Sequence, residues 1–358
     1  MGSVTKMALY CDDDLSFLVR RWKENYTLGD GEIRIETIYS GVNPADVKHA
    51  RILGIYPAVL GYDFCGKVLE APVGSKFQPG DLVAGYTPTG LGRPAKYGTH
   101  QQDFVCPEDM LFLIPPNLPP HHAACLSVVT MTACDALYNI FRFPLPAENL
   151  ATDTSSTSSP LLIWGASSSV GISAVQLARA SGIYPILVTA SPKHHPLLLR
   201  LGATRCFDYK SANIVSDIQS VLEQEGWSHI SRGFDAVGSE AGLGSAQLMA
   251  GCVPKDAALV SVVMQKDPRF RMPFAPSPRD VELQPKGVPH SIKISARKVD
   301  FERAWAAFQW AVAHYGTRFQ LPSVEVFHGS AEDALSQVLE LVDHGRGLGK
   351  LVFQHPLQ

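Results

Sequence analysis

Leu161-Leu162-Ile163-Trp164-Gly165-Ala166-Ser167-Ser168-Ser169-Val170-Gly171 carries the strongest structural pattern in the chain. Four apolar residues predict a buried strand, and small residues between two glycines predict a tight turn. The spacing of Ile172, Val175, Leu177 and Ala178 then predicts a helix. A strand, turn and helix of this kind suits a dinucleotide, because small residues let the backbone approach a pyrophosphate at a helix N-terminus. Serines stand where the usual fingerprint has glycines, so the same residues also read as a buried strand with a Ser-rich turn.

Working outward, a second apolar run, Tyr184-Pro185-Ile186-Leu187-Val188-Thr189, leads into Ala190-Ser191-Pro192-Lys193-His194-His195. An NAD-binding fold places an acid there for the ribose 2′-hydroxyl. This segment has none; a hydroxyl, a lysine and two histidines suit the 2′-phosphate of NADPH instead. A third short run, Arg205-Cys206-Phe207-Asp208-Tyr209-Lys210, is expected to bring Tyr209 and a further lysine to the same sheet edge. A solvated basic loop is the alternative reading of these groups.

Further strands are expected near Phe234 and at Ala258–Val263, alternating with helices, which predicts a parallel sheet covered on both faces. The first third is different. Glu32–Ser40 alternates apolar and polar residues, glycines recur between short runs, and a small irregular barrel is expected. Helical stretches follow from His121 and from Thr132, the latter residue expected to open its helix. Asn149–Pro160 is polar and low in complexity, which predicts a mobile surface loop. Lys266–Pro289 is rich in proline and charge and is expected to be one extended loop, with a strand near Ile292 and an amphipathic helix over Phe301–His314. The chain closes with a strand, helix and strand over 323–327, 331–342 and 347–353.

With 358 residues, 46% of them hydrophobic and 18% charged, the chain can bury two domains and is not a disordered polymer. The net charge of −3 gives no electrostatic footprint for nucleic acid or a membrane surface. No apolar run reaches the roughly twenty residues of a membrane span. The seven cysteines, at 11, 65, 106, 125, 134, 206 and 252, form no CxxC pair and are expected to be reduced thiols of a cytoplasmic protein. No secretory leader is legible at Met1–Lys6.

Taken together, Val42-Asn43-Pro44-Ala45-Asp46-Val47-Lys48, Gly61-Tyr62-Asp63-Phe64-Cys65-Gly66, Pro79-Gly80-Asp81-Leu82-Val83, Leu161–Gly171, Leu201-Gly202-Ala203 and Gly349-Lys350-Leu351-Val352 resemble the medium-chain dehydrogenase/reductase superfamily over nearly the whole chain. The resemblance implies an α/β protein with a GroES-like β-barrel substrate domain, residues 1–130 and 317–358, plus a Rossmann doubly wound parallel-sheet domain, residues 131–316, with the cofactor bound between them. Zinc-dependent members carry a cysteine and a Gly-His-Glu segment where this chain has Asn43-Pro44 and Gly61-Tyr62-Asp63, so no metal is expected. A metal needs three or four converging ligands.

Among zinc-free members the chain looks most like the fungal trans-acting enoyl reductases of polyketide synthases. That likeness rests on 43–48, 61–64, Thr132-Ala133, 184–186, 190–194 and 207–209. It implies reduction of an enoyl thioester held on the acyl carrier domain of a polyketide synthase. Lys48 and Thr132 are then the catalytic candidates and Tyr62 and Asp63 the substrate-pocket candidates. Asn43, Lys48, Thr132, Gly165, Ser167, Ser168, Ser169, Val170, Ser191, Lys193, His194, Tyr209 and Lys350 are the expected NADPH contacts. The segment 86–100 lacks the usual Gly-Ala-Phe ending and the 266–289 loop also departs, so the substrate is open where it would be set. Other readings of the same residues are a free-standing NADPH-dependent quinone or enone reductase and a redox-silent binding relative. A monomer is expected, because the departures near Ile292 fall where the superfamily's dimers pair.

Overall fold

Glu32–Gly41 is the longest strand and the one on which the first unit is built. It pairs with Asp63–Glu70, Asp103–Pro107 and Lys350–Gln354, all antiparallel. One strand serves three partners because Asp63–Glu70 takes one edge while the other is divided, residues 32–36 pairing with Asp103–Pro107 and residues 39–41 with Lys350–Gln354; the register shifts at Arg34/Ile35 and Thr37/Tyr39 bend the ladder. The sheet continues through Leu82–Tyr86 to Leu111–Leu113 on one side and to Val324–Phe327 on the other. A separate three-stranded sheet is made by Phe17–Trp22, Lys6–Cys11 and Ala58–Val59. The computed structural model describes residues 6–22, 26–146, 159–345 and 347–358. The loop expected over 149–160 lies outside the described residues except for Ser159 and Pro160, and Met1–Thr5 lie outside them as well.

The first unit comprises the chain up to Val128, Ser277–Lys298 and Pro322–Gln358. Its core joins Leu9, Val47, Leu60, Val338 and Phe353, so the last strand and helix are integral to it. Phe353 is fully buried, and an aromatic side chain removed from water contributes about 1.5–3 kcal/mol. The helix Ala45–Leu53 ends at Gly54, whose φ of 73° lets its N–H return to His49 O. Ala331–His344 begins on Ser330, whose Oγ accepts from Asp333 N–H.

The second unit, Val129–Pro276 with Val299–Leu321, holds a six-stranded parallel sheet. Its order is 205–208, 186–190, 161–164, 232–235, 258–261, 270–271, which in sequence order reads 3-2-1-4-5-6. That is the doubly wound order of dinucleotide-binding folds, and the expected fold class holds. The run Leu161–Trp164 is buried at every residue, as a central strand covered by helices on both faces requires.

Two readings need correction. The Lys266–Pro289 stretch is not one loop: it makes a short edge strand at Phe270–Arg271, and Val281–Leu283 pairs antiparallel with Ile292–Ile294 in a hairpin of the first unit. The hairpin is fastened by backbone bonds that no local pattern announces, from Gln284 N–H to Leu53 O, Lys286 N–H to Ile52 O and Leu91 N–H to Glu282 O. Thr132 does not open its helix, which spans Ser127–Cys134 and passes into a π-helical segment, Asp135–Ile140. Among the described residues no helix is long and apolar enough to cross a membrane.

Candidate active site

In the second unit, Gly165 follows the central strand with φ +72°, and a Cβ on it would stand 2.7 Å from Val237 Cβ. Gly171 lies in the first turn of the helix Ser169–Ala180, where a Cβ would meet Ala166 Cα and Gly165 O at 2.7 Å. The first glycine therefore makes the turn and the second lets helix and strand pack closely, two of the three roles of a dinucleotide fingerprint.

Of the serines between them, Ser168 is the N-cap. Its Oγ accepts from Gly171 N–H at 3.0 Å and donates to Ala236 O at 2.8 Å, so its hydroxyl is committed to the protein. Ile172 N–H is taken by Ser168 O, whereas Val170, the second residue of the helix, lies too early for an intrahelical carbonyl to accept its N–H at the positive end. Ser167, Ser169 and Val170 are half-buried. A tight glycine turn and a capped helix N-terminus fit the pyrophosphate of a dinucleotide.

The strands Ile186–Ala190 and Arg205–Asp208 pair with Ala190 opposite Asp208. Ser191 and Tyr209 thus each stand one residue past a matched pair, at the carboxyl end of adjacent strands. Lys193 and Tyr209 are exposed, Ser191 and His194 half-buried, and Lys210 Nζ lies 5.8 Å from the Tyr209 ring centroid. The segment 190–195 offers no carboxylate to a ribose, and burial together with Lys193 and His195 pushes the His194 imidazolium down.

In the first unit a buried polar network surrounds Asn43. Its Nδ2 donates to Asp63 Oδ2 at 2.9 Å, its backbone N–H to Asp46 Oδ2 at 2.8 Å, and its Oδ1 accepts from Lys350 Nζ at 2.7 Å. Lys350 also donates to Val42 O at 2.7 Å, and Asp63 Oδ1 accepts from Val128 N–H at 2.8 Å. Burial pushes the Asp63 carboxyl up to about 6, against the opposing pull of Lys350 and its own hydrogen bonds. From Asp46 the network runs to His100 Nε2 at 3.2 Å, from His100 Nδ1 to Ser40 Oγ at 2.8 Å, and on to His355 Nε2 at 2.8 Å. These groups hold the two strand ends and the helix start in register, and the buried Lys350 is spent on Asn43.

Lys48 lies on the helix Ala45–Leu53, half-buried. The next residue, His49, was not singled out in the sequence, nor were Thr89 and Arg93. His49 Nδ1 is 2.8 Å from Tyr62 Oη, and Thr89 Oγ1 donates to the same Oη at 3.3 Å. Arg93, 6% exposed, stacks its guanidinium 4.2 Å from the Tyr62 ring centroid and bonds Pro88 O, Val59 O, Gly61 O, Tyr97 O and Thr87 Oγ1. Burial, aided by Arg93, pushes the His49 imidazolium down to about 4, so the ring is neutral at pH 7. Burial also raises the Tyr62 phenol. Among the described residues no three His, Cys, Asp or Glu side chains converge as a metal-binding group.

Residues 29–116 match the alcohol dehydrogenase GroES-like domain, and residues 169–272 match the zinc-binding dehydrogenase family. A trans-enoyl reductase of Aspergillus sclerotiorum, resD, is 28% identical over 348 residues, covering 92% of this chain and 94% of the relative. The trans-enoyl reductase himH of Aspergillus japonicus is 35% identical over 198 residues, 54% of this chain and 56% of its own. Among solved structures, an alcohol dehydrogenase superfamily protein from Novosphingobium aromaticivorans has a TM-score of 0.71 at 20% identity, covering 98% of this chain and all of the other. The CurK enoyl reductase has a TM-score of 0.68 at 19% identity, covering 98% and 99%. The two structures show the fold.

Proposed function

The chain belongs to the medium-chain dehydrogenase/reductase superfamily, an oxidoreductase family that uses nicotinamide cofactors, and from that premise we propose that it is an NADPH-dependent enoyl reductase acting in trans on the acyl chain of a fungal polyketide synthase. The observation that carries the reading is the similarity to a trans-enoyl reductase along 92% of the chain. The site chemistry supports it: a dinucleotide turn, a strand-end group of hydroxyls and cations, and two buried polar groups in the first unit, one joining Asn43 and Asp63 and one joining Tyr62, His49 and Thr89.

When bound, the nicotinamide supplies a hydride to the β-carbon of the enoyl thioester. The Val170 N–H, with Ser167 and Ser169, holds the pyrophosphate at the glycine turn, and Gly165 keeps that turn close. Ser191, Lys193, His194 and Tyr209 hold the 2′-phosphate, with Lys210 adding charge beside Tyr209. Lys48 supplies the proton that the α-carbon takes up, or holds the nicotinamide ribose, and Thr132 orients the nicotinamide. Asn43, fixed by Lys350, Asp46 and Asp63, holds the loop before the helix Ala45–Leu53 in place, while Tyr62 and Asp63 shape the substrate pocket.

The proposed partner is the acyl carrier domain, which delivers its thioester on a phosphopantetheine arm. A monomer fits the two-residue edge strand Phe270–Arg271, followed by Pro273, Pro276 and Pro278, because a short proline-flanked edge is a poor template for pairing with a second sheet. The cytoplasm fits seven cysteines that are all free thiols. The test is NADPH and NADH consumption with crotonyl-pantetheine beside a simple quinone. Thioester turnover with NADPH supports the proposal, and Tyr209→Ala or Lys193→Ala should then weaken NADPH while leaving NADH unchanged. Turnover of the quinone alone would replace it with a free-standing quinone reductase, and neither turnover would leave a redox-silent relative.

A further inference from the structure

His49 stands out in the first unit because one face of its ring chemistry is fixed by the protein and the other is left open. Tyr62 carries a single phenolic proton and is 5% exposed. Thr89 already donates to Tyr62 Oη, so the phenol's own proton needs an acceptor, and the near nitrogen that offers a lone pair is His49 Nδ1 at 2.8 Å. The Tyr62 O–H therefore donates to Nδ1, which places the imidazole proton on Nε2. Nε2 has no partner among the described residues and is not a sealed-in atom, and the residue is half-buried.

Each member of this group comes from a different part of the unit and is tied in place. His49 is on the helix Ala45–Leu53, Tyr62 precedes the strand Asp63–Glu70, and Thr89 is on the segment after Leu82–Tyr86. The hairpin strand Val281–Leu283 fastens two of them, through Leu91 N–H to Glu282 O and Gln284 N–H to Leu53 O. Arg93, stacked on Tyr62 and bonded to four carbonyls, fixes the third. An oriented, neutral imidazole with an outward N–H is a hydrogen-bond donor for a developing oxyanion.

We propose that His49 is a further catalytic residue, whose Nε2–H donates to the carbonyl oxygen of the enoyl thioester, with Tyr62 and Thr89 as the positioning residues that set its tautomer. This rests on the enoyl-reductase reading above. As hydride adds to the β-carbon, the electron pair of the C=C bond moves to the α-carbon and carbonyl, and negative charge develops on the oxygen. His49 stabilises that enolate and keeps its proton. The α-carbon is protonated separately, by Lys48 or water, which regenerates the carbonyl.

The test compares wild type with His49→Phe, His49→Gln and Tyr62→Phe, each checked for folding by circular dichroism. Turnover of crotonyl-pantetheine, NADPH affinity by fluorescence and the imidazole tautomer by proton–nitrogen NMR are measured. Loss of one oxyanion donor lowers kcat about 10²–10³-fold, so His49→Phe should fall by that factor with NADPH affinity unchanged, and His49→Gln, which keeps an N–H, should recover part of it. The wild-type ring should show the proton on Nε2, and Tyr62→Phe should give a tautomer mixture and a smaller loss of kcat. A kcat for His49→Phe within threefold of wild type, or a wild-type proton on Nδ1, overturns the proposal. Wild type that cannot reduce the thioester at all overturns the enoyl-reductase reading, and this proposal falls with it.

Discussion

Replacing Arg93 by methionine tests whether the segments around Tyr62 are held by one buried guanidinium. Its Nε donates to Pro88 O at 2.8 Å, Nη1 to Val59 O at 2.8 Å, and Nη2 to Gly61 O, Tyr97 O and Thr87 Oγ1 at 2.7–2.9 Å. No described carboxylate pairs with it, and desolvation alone pulls its proton affinity down. Hydrogen bonds from a charged donor contribute about 1.5–3 kcal/mol each, but the five do not add. Gly61 O keeps Thr99 N–H at 3.3 Å, and the half-buried Pro88 and Tyr97 sites can be rehydrated. Losing the guanidinium also removes the cost of burying its charge. The net loss is that of one or two stranded carbonyls, about 3 kcal/mol.

Four of the five tryptophans, 164, 227, 305 and 310, belong to the other unit, so tryptophan fluorescence is the wrong probe. Hydrogen exchange of the amides of Thr87, Thr99 and His100 reports the affected segment directly. At about 1.4 kcal/mol per tenfold, Arg93→Met should accelerate their exchange by about 10²-fold, while Arg93→Lys, with three donors and no planar stack on Tyr62, should fall between. Exchange within threefold of wild type in Arg93→Met would mean that water holds these carbonyls as well as the arginine does, and that the guanidinium is not what fixes these segments.

Three further outcomes follow from the same geometry. Burial pushes His355 from 6.5 down to about 3, so its contribution to stability is whole above the unfolded pKa and is lost as pH falls toward 3. Between pH 7 and 5 this amounts to roughly 2 kcal/mol, and His355→Gln should flatten the fall in a denaturant titration at the two pH values. His49 has the same sign, whereas Asp63, raised to about 6, acts oppositely between about 4 and 6, so an unchanged slope in His355→Gln would contradict the assignment. Gly171→Ala should cost about 1–3 kcal/mol by overpacking against Ala166 and Gly165 O, and should weaken NADPH binding measured by fluorescence, since the turn must shift. Ser168→Ala should cost about 1 kcal/mol through the lost helix cap yet change the NADPH Kd less than threefold, because its hydroxyl is turned to Ala236.

The second unit was legible because its central strands Leu161–Trp164 and Ile186–Ala190 are largely apolar runs that a doubly covered parallel sheet buries, and because Gly165 and Gly171 mark a turn whose spacing is local. The matched ends of Ile186–Ala190 and Arg205–Asp208 likewise follow from two short runs and a helix. The first unit was legible only in part. Lys266–Pro289 has no alternation, and what divides it is backbone pairing with Ile52, Leu53 and Leu91, more than 190 residues earlier in sequence. Arg93 is surrounded by glycine and proline and reads as a surface turn, yet it is buried among four carbonyls from the stretches at 59–61, 88 and 97. His49 shows no signal beyond its place beside Lys48; its partner is thirteen residues away and meets it only after the helix and the strand have packed. Thr132 misled because threonine favours caps, while here the helix continues past it into a buried π-helical turn.

An enoyl reductase delivers its hydride to the β-carbon of the thioester. The direct measurement is to supply NADPH deuterated at the transferable position, with crotonyl-pantetheine, and to locate the label in the product by mass spectrometry and NMR. Saturated butyryl-pantetheine with one deuterium on the β-carbon is the result predicted. Cofactor oxidised with no deuterium in the thioester, or label delivered only to a quinone, would contradict it.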